Sequence, residues 1–414
     1  MKISKKLLLF LIPAFVSAEN LQELITVAQK NNDIIVAKKY NEDASAKELD
    51  SKKSAYYPTV DLGGFYKRDD AASPFQAGDT YSAYAKVGVD IYDGGKRSSQ
   101  VNEKQESLKS SHFNTIAYKK SLALNITKDF FSIKNLQASL NAREDAQKAL
   151  KAQLERIKKF YNAKMATVDD VQRVQSDFDT NLYNIQTIRF QILSLKSLLE
   201  LKVGQKIQSF DNSAFKKEKS NDFAMLDRIS SITAQKSAMN YGANAIDSYY
   251  YPNIRVEDKY SLYSYDRLDP KVKQLAPPLD NQNSLLLTAN IRLFDFSTIA
   301  KKKEAIVLNA RALQSQINYQ IKEQKVQYEL ARAQIETAKL KIKSSQSALN
   351  AASDAFETIE KKYNAGIVDY IVYLDALTKR TSSKALYESS LNDLEIAYAS
   401  YYFYSGKNIL EELK

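Results

Sequence analysis

Four stretches of this chain alternate apolar and polar residues with a period of two. In the clearest, Tyr81, Ala83, Ala85, Val87, Val89 and Ile91 share one side, with Lys86, Gly88 and Asp90 opposite. Pro58, Val60, Leu62, Gly64 and Tyr66 make a similar face earlier in the chain. Later, Ile254, Val256, Asp258, Tyr260 and Leu262 oppose Arg255, Glu257, Lys259 and Ser261, and Leu285, Leu287, Ala289, Ile291 and Leu293 oppose Leu286, Thr288, Asn290 and Arg292. Successive side chains of a strand point to opposite faces, so the pattern predicts strands over 57–67, 81–91, 254–262 and 285–293. One apolar and one mixed face over about ten residues is the signature of a membrane-spanning strand.

The rest of the chain has a helical period, and its helices are long. No Gly or Pro occurs between Gly95 and Gly204, and only 163–167 breaks the pattern, which predicts helices over 97–162 and 168–203. The first would measure roughly 100 Å at 1.5 Å per residue, against about 11 or 12 residues for an average globular helix. In the second, Val168, Val171, Gln175, Phe178, Leu182, Ile185, Arg189, Ile192, Lys196, Leu199 and Val203 follow an alternating three-four spacing. That is the left-handed coiled-coil period, with polar Gln175, Arg189 and Lys196 making the expected seam partly wet. Helices over 298–364 and 369–405 follow in the same way, with a small-residue ladder at Leu330, Ala333, Thr337, Leu340, Ser344, Ser347 and Ala351.

These elements come twice. Tyr92-Asp93 and Tyr161-Asn162-Ala163 recur 202 residues later as Phe294-Asp295 and Tyr363-Asn364-Ala365, and Tyr57-Pro58 recurs 194 later as Tyr251-Pro252. The reading is a first structural repeat over 19–204, a connector or equatorial belt over 205–222, and a second repeat over 223–414.

Composition narrows the class. The charged start Met1-Lys2, the run Leu7 to Ile12 and the ending Val16-Ser17-Ala18 read as a signal peptide over 1–18. Without cysteine there is no lipid anchor, disulfide or thiolate metal site. Loss of the signal's three Lys leaves 57 basic residues against 49 acidic, a net +8 spread through mixed-sign helices, so nucleic acid is not an expected partner. No stretch after Ala18 is apolar enough for a membrane helix, so a membrane would have to be crossed as a barrel. Four strands cannot close a useful barrel and open edges are not tolerated in lipid, so the strand count itself demands oligomerisation. His112 has no second His with which to share a metal, and no motif supports nucleophilic catalysis or a cofactor.

The chain resembles the TolC-like outer-membrane efflux and secretion channels over nearly its whole length. The resemblance is carried by the opening helix Leu21 to Asn32, by Ala55-Tyr56-Tyr57-Pro58 and Ser248-Tyr249-Tyr250-Tyr251-Pro252, and by Val89-Asp90-Ile91-Tyr92-Asp93-Gly94-Gly95-Lys96-Arg97. The second crossover, Leu293-Phe294-Asp295-Phe296, lacks both glycines and must reach its geometry otherwise. The most specific string is Tyr363-Asn364-Ala365-Gly366-Ile367-Val368-Asp369-Tyr370-Ile371-Val372-Tyr373-Leu374-Asp375-Ala376.

What the resemblance implies is a mainly α fold with a β-barrel portion. Three copies form a 12-stranded outer-membrane barrel, continued by a long α-helical coiled-coil tunnel in the periplasm. The turns at Ala163, Lys164 and Met165 and at Ala365, Gly366 and Ile367 would be periplasmic tips that meet an adaptor protein. An inner-membrane transporter of the RND, ABC or related class would supply the energy, and the channel itself would catalyse nothing. The implied pore constriction falls on Tyr363, Val368, Val372 and Asp375. Asp375 keeps an inner acidic position, while Val372 stands where a second acid is common and Val368 where a basic latch can occur. The expected function is the exit duct of a tripartite efflux or type I secretion system, in the outer membrane, for drugs, toxic small molecules or polypeptides. The alternatives are a non-conducting coiled-coil adaptor of the envelope, and an adhesin displaying loops 68–80 and 264–283.

Overall fold

The computed structural model of the protein describes residues 20–70, 77–217, 223–268 and 278–414; the expected signal peptide and parts of the two strand-joining loops and of the connector lie outside them. Two helices, α1 (Leu21–Asn31) and α2 (Asp33–Ser54), lead into strands β1 (Thr59–Arg68) and β2 (Asp79–Tyr92). Helices α3 (Lys96–Asn162) and α4 (Val168–Val203) follow, then α5 (Asp227–Asp247), β3 (Asn253–Asp266), β4 (Asn281–Asn290), α6 (Thr298–Asn364) and α7 (Tyr370–Tyr404). Both α3 and α6 have 67 residues, and they start and end 202 positions apart. The strands depart from the expected limits most at β4, which starts at Asn281 and stops at Asn290 rather than spanning 285–293. Asn281 to Asn283 pair with Leu262 to Tyr260, and backbone pairing holds polar residues that an alternation of side chains does not register. Likewise β3 runs on past Leu262 to Asp266, β1 starts at Thr59 after Pro58, and α7 spans 370–404 because Asp369 is its cap.

The chain forms two compact units, each drawing segments from both halves of the sequence: residues 38–114 with 228–320, and 1–37 with 115–227 and 321–414. The first unit contains the sheet, an antiparallel meander in the order β1-β2-β3-β4, with β1 and β4 as its free edges. Register sets the faces. Val60, Val87, Asp258 and Leu285 lie in one row, and Val89, Val256 and Leu287 in the next, so an apolar band crosses all four strands, with Asp258 within it and Asp79 and Asp266 on the same face at the far end of the strands. The opposite face is less exposed and charged. Lys86 lies 3.7 Å from Asp61 and 3.6 Å from Glu257, while Arg255 reaches Asp90 at 3.1 Å. Gly88 leaves the Arg255 guanidinium room in this network, since a Cβ there would make that side chain shift.

Both sheet-to-helix crossovers use one backbone solution. Gly94 and Gly95 have φ of 65° and 81°, and 202 residues later Phe296 and Ser297 have 51° and 66°. Asp93 Oδ2 accepts from Arg97 N at 3.0 Å, and Asp295 Oδ2 accepts from Ile299 N at 2.8 Å, so the carboxylate caps the helix in each copy. The missing glycines are therefore not replaced by another geometry. A bulky residue at positive φ is strained by roughly 1–3 kcal/mol. Phe296 has room to bear that strain, since its side chain is 85% exposed and its ring meets Phe294 edge-on at 4.6 Å. At Gly94 a Cβ would lie 2.6 Å from Tyr251 Cβ, leaving no such freedom.

The second unit packs around one apolar cluster. Leu21, Leu24 and Ile25 of α1, Phe130 and Phe131 of α3, Leu199 and Val203 of α4, and Tyr401 of α7 are all buried there. Asn32 breaks α1 from α2 and caps the latter, its Oδ1 accepting from Ile34 N and Ile35 N while its Nδ2 donates to Lys202 O at 2.9 Å. The connector folds back on the C-terminal residues: Phe215 bridges Leu413, and Lys216 N donates to Glu412 O at 2.9 Å. Buried Gln324 ties three segments at once, donating to Ala224 O and Tyr404 O and accepting from Leu226 N.

Within this unit the inter-helix contacts run from α4 to α3, α3 to α7 and α7 to α6. Asn181 bonds Arg143 O and Gln147, Lys384 reaches Asp145 at 2.7 Å, and Ser345 meets Ser390 at 3.0 Å. The seam of α4 is not the expected one. Val174, Asn181, Ile185, Ile188, Leu199 and Val203 are buried, so half of the ladder sits one residue earlier. Gln175, Arg189 and Lys196 flank the contact instead, with Arg189 paired to Glu144 at 2.7 Å. The α6 ladder is corrected more strongly: Leu330, Ala333, Thr337, Leu340, Ser344, Ser347 and Ala351 are all exposed, and Tyr328, Ala331, Ile335, Ala338 and Phe356 carry the packing.

Glu395, half-buried on α7, accepts from Phe215 N at 2.7 Å. Burial raises its pKa above the ordinary 4.5, with the Phe215 N–H, Lys414 and Lys134 opposing the shift. The folded state thus binds this proton more tightly than the unfolded state, and the group favours folding most at low pH and least above its folded pKa. Glu395→Gln keeps an acceptor without the charge. It is expected to raise thermal stability at neutral pH, with the gain shrinking toward about pH 4. Melting curves over that range test this, and a difference independent of pH contradicts it.

Candidate functional site

The two helical hairpin tips and the first turns of α7 gather the residues that the sequence singles out. In the first tip, Lys164 N donates to Tyr161 O at 2.9 Å and Met165 N to Phe160 O at 2.8 Å. In the second, Gly366 N donates to Tyr363 O at 3.0 Å and Ile367 N to Lys362 O at 2.8 Å. These bonds close each helix through a left-handed residue, Lys164 at φ 61° and Gly366 at φ 75°. The following helix is capped at the same offset. Thr167 Oγ1 accepts from Asp170 N at 3.2 Å, and Asp369 Oδ1 accepts from Val372 N at 3.0 Å. Asp369 is thus a helix cap. Each tip presents one apolar side chain to solvent, Met165 at 73% and Ile367 at 70% exposure.

Behind the tips lies an aromatic knot. Tyr373 of α7 is buried and stacks on Tyr363 of α6 at 4.8 Å, with Phe356 at 5.7 Å on another side. Tyr370 OH donates to Asp177 Oδ2 of α4 at 3.1 Å. Burial pushes the Tyr370 phenol far above its usual range, and the Asp177 carboxylate adds to the shift, so the phenol keeps its proton. Arg156 of α3 lies over the Tyr363 ring at 5.1 Å and donates to Asn364 Oδ1 at 2.8 Å. Four helices are held together by these contacts. A hydrogen bond to a charged group contributes roughly 1.5–3 kcal/mol, so the Tyr370–Asp177 bond is a substantial part of the hold.

Tyr363 therefore belongs to the knot, half-buried. Val368 is half-buried in the turn, and Val372 and Asp375 lie one turn apart on the exposed face of α7. Among the described residues Asp375 makes no ion pair. Arg156, Asp177, Tyr370 and Tyr373 were not singled out from sequence. Tyr370 and Tyr373 could have been found from their spacing with buried Leu377, whereas Arg156 and Asp177 come from a different hairpin and only folding brings them in.

Comparisons with known proteins agree with this architecture. Residues 24–198 match the family model described as outer membrane efflux protein. The chain is 26% identical over 184 residues to the outer membrane protein TolC of Vibrio cholerae serotype O1, a match spanning 41% of each chain. It is 22% identical over 417 residues to TolC of Salmonella enteritidis, covering 92% of this chain and 82% of that one. Among solved structures, the Campylobacter jejuni CmeC outer membrane channel superposes with a TM-score of 0.83 at 13% identity, over 93% of this chain and 85% of that one. A membrane protein from Pseudomonas aeruginosa gives 0.81 at 15% identity, over 93% of both chains.

The two tips carry a matched prediction. Nothing lies within 4 Å of a Cβ built on Gly366, so a side chain there meets only the cost of positive φ. Gly366→Ala is expected to weaken its tip, and Lys164→Gly to strengthen the other, each by about 1 kcal/mol. Hydrogen exchange of the amides in 160–168 and 362–370 measures both, and equal protection in all variants contradicts the assignment.

Proposed function

Because this chain belongs to the TolC-like family of outer-membrane efflux proteins, we propose that it is the outer-membrane exit duct of a tripartite efflux or type I secretion system. The observation that carries the reading is the sheet. One face is an apolar band across four strands, the other holds an ion-pair network, and β1 and β4 are free edges. That combination suits a barrel wall with lipid outside and water inside, closed by other copies. Three protomers give the 12-stranded barrel of the proposal.

The helical unit supports self-assembly independently. Helices α3 and α7 each touch all the other long helices of the unit, which leaves α4 and α6 as the outer members, and both carry exposed apolar stripes. Tyr183, Phe190, Leu193 and Leu201 on α4 are 61–76% exposed, and Val326, Leu330 and Leu340 on α6 are 57–69% exposed. In a homotrimer α4 of one copy would pack on α6 of the next. The tips, with Met165 and Ile367 presented to solvent, would meet a periplasmic adaptor linked to an inner-membrane pump of the RND or ABC class. The aromatic knot would hold the narrow end closed until that partner engages. Val372 and Asp375 would line the constriction, where three Asp375 carboxylates repel each other and favour a cation. Drugs, toxic small molecules or polypeptides would pass through, driven by the pump.

Threefold particles in electron micrographs of detergent-purified protein, conducting in planar bilayers, are the expected result; a compact monomer overturns the reading. Lys at Val87 or Val89 should impair assembly, since a basic side chain at the bilayer midplane costs roughly 2 to 4 kcal/mol per copy. Asp90→Asn, on the charged face, should assemble nearly as the parent does. Retention of heat-resistant trimer by all three variants would reverse the facing. Asp375→Asn should weaken block by a multivalent cation and change conductance at low salt without loss of trimer. Unchanged block and conductance place Asp375 away from the opening.

A further inference from the structure

Beyond Asn290 the β4 strand gives way to irregular chain over 291–297 before α6. Between this segment, the start of α3 and the turn Ser248–Tyr250 lies a cavity of about 710 Å³. Its lining includes two cations, Lys96 and Arg292, beside Tyr249 and Tyr251. Among the described residues neither cation is in an ion pair. The Lys96 ammonium lies over the Tyr249 ring at 5.1 Å, and Arg292 is exposed. The one carboxylate in the lining, Asp93, is already engaged by Arg97 Nε at 2.8 Å and by the N–H groups of Gly95 and Arg97.

The other half of the chain shows that these charges are not demanded by the crossover. The counterpart of Arg292, 202 residues earlier, is Asp90, which is paired with Arg255; the counterpart of Lys96 is Thr298. The crossover backbone is the same in both copies, so neither the Lys96 of the first nor the Arg292 of the second is required by it. A cavity of several hundred cubic ångströms suits an organic ligand. Two cations with tyrosines beside them suit an anion with several acceptor oxygens, and a phosphate ester meets that description.

The surroundings say which phosphate ester. Ile291, Leu293 and Phe294 are 54%, 85% and 72% exposed around the same cavity. Ile254 and Ala289 pair in the last row of the apolar face, and the next pair, Asn253 and Asn290, lines the cavity. One residue along a strand is about 3.3 Å, and the headgroup zone beyond the hydrocarbon is roughly 5–8 Å deep on each side. With the apolar face in lipid, the two cations stand at headgroup depth. We propose that this cavity binds the phosphodiester of a glycerophospholipid in the leaflet on the helical side, with Lys96 and Arg292 holding the phosphate and Leu293 and Phe294 meeting the acyl chains. This rests on the reading of the sheet as a membrane wall.

The test uses full-length, delipidated protein in detergent, titrated with short-chain phosphatidylglycerol or with inorganic phosphate and followed by native mass spectrometry. The parent protein, Arg292→Gln, and Lys96→Gln with Arg292→Gln are compared, with heat-resistant trimer checked in each. Saturable lipid binding by the parent is expected, weakened about tenfold or more by each cation removed. Arg292→Gln changes an exposed side chain and decides the matter if the double variant fails to fold. Phe294→Ser should weaken the lipid and leave inorganic phosphate unaffected. Lipid binding by a trimeric parent that Arg292→Gln leaves unchanged overturns the site. Inorganic phosphate bound as tightly as the lipid overturns the lipid as its ligand. A parent that forms no trimer and enters no bilayer overturns the duct reading instead.

Discussion

Backbone hydrogen bonding at the sheet edges is the constraint on which the rest depends. Four strands satisfy one another across three ladders, but β1 and β4 each leave a row of N–H and C=O groups unmatched. In water such an edge is a liability; in hydrocarbon each unsatisfied group costs several kcal/mol. In the proposed barrel, the apolar band would therefore be usable only when other copies close the edges. The exposed stripes on α4 and α6 pose a related problem in water, and a second copy answers it too. In the proposed assembly each protomer would be half of two interfaces, and conduction would belong to the assembly.

The duplicated backbone shows how little of a fold must be written in the same residues. Asp93-Gly94-Gly95 and Asp295-Phe296-Ser297 make the same left-handed turn and cap. Lys164 and Gly366 close the two tips with matching bonds. In each case the pressure for glycine is set by what surrounds the Cβ as well as by φ. Gly94 is hemmed in by Tyr251 and Ser248, whereas the space beside Gly366 is open.

The aromatic knot and the tips divide the labour at the ends of the two hairpins. Met165 and Ile367 face solvent, and Tyr363, Tyr370 and Tyr373 face one another. Arg156 and Asp177 connect the knot to the first hairpin through polar contacts at the rim of the apolar stack. In the proposed duct, a closure built on a few charge-assisted bonds around an apolar centre would be stable at rest and would yield to a partner that binds an open form better.

Sequence by itself determined the elements: alternation of period two gave the strands, the long absence of Gly and Pro gave the 67-residue helices, and the 202-residue offset gave their pairing. These are local properties, fixed by side-chain direction and backbone preference within a few residues. Which stripe of each helix is buried was not local. On α4 two ladders one residue apart are both plausible, and Asn181 takes the buried one because Arg143 O and Gln147 satisfy its amide. On α6 the ladder chosen for its small residues is exposed, because Tyr328, Ile335 and Phe356 have partners on other elements. The joining of Arg156 and Asp177 to Tyr363 and Tyr370, and of Lys96 to Arg292, likewise spans about two hundred residues. Tertiary structure alone decided these, since a helix with more than one apolar stripe offers several faces and only the contacts made by the whole chain select among them.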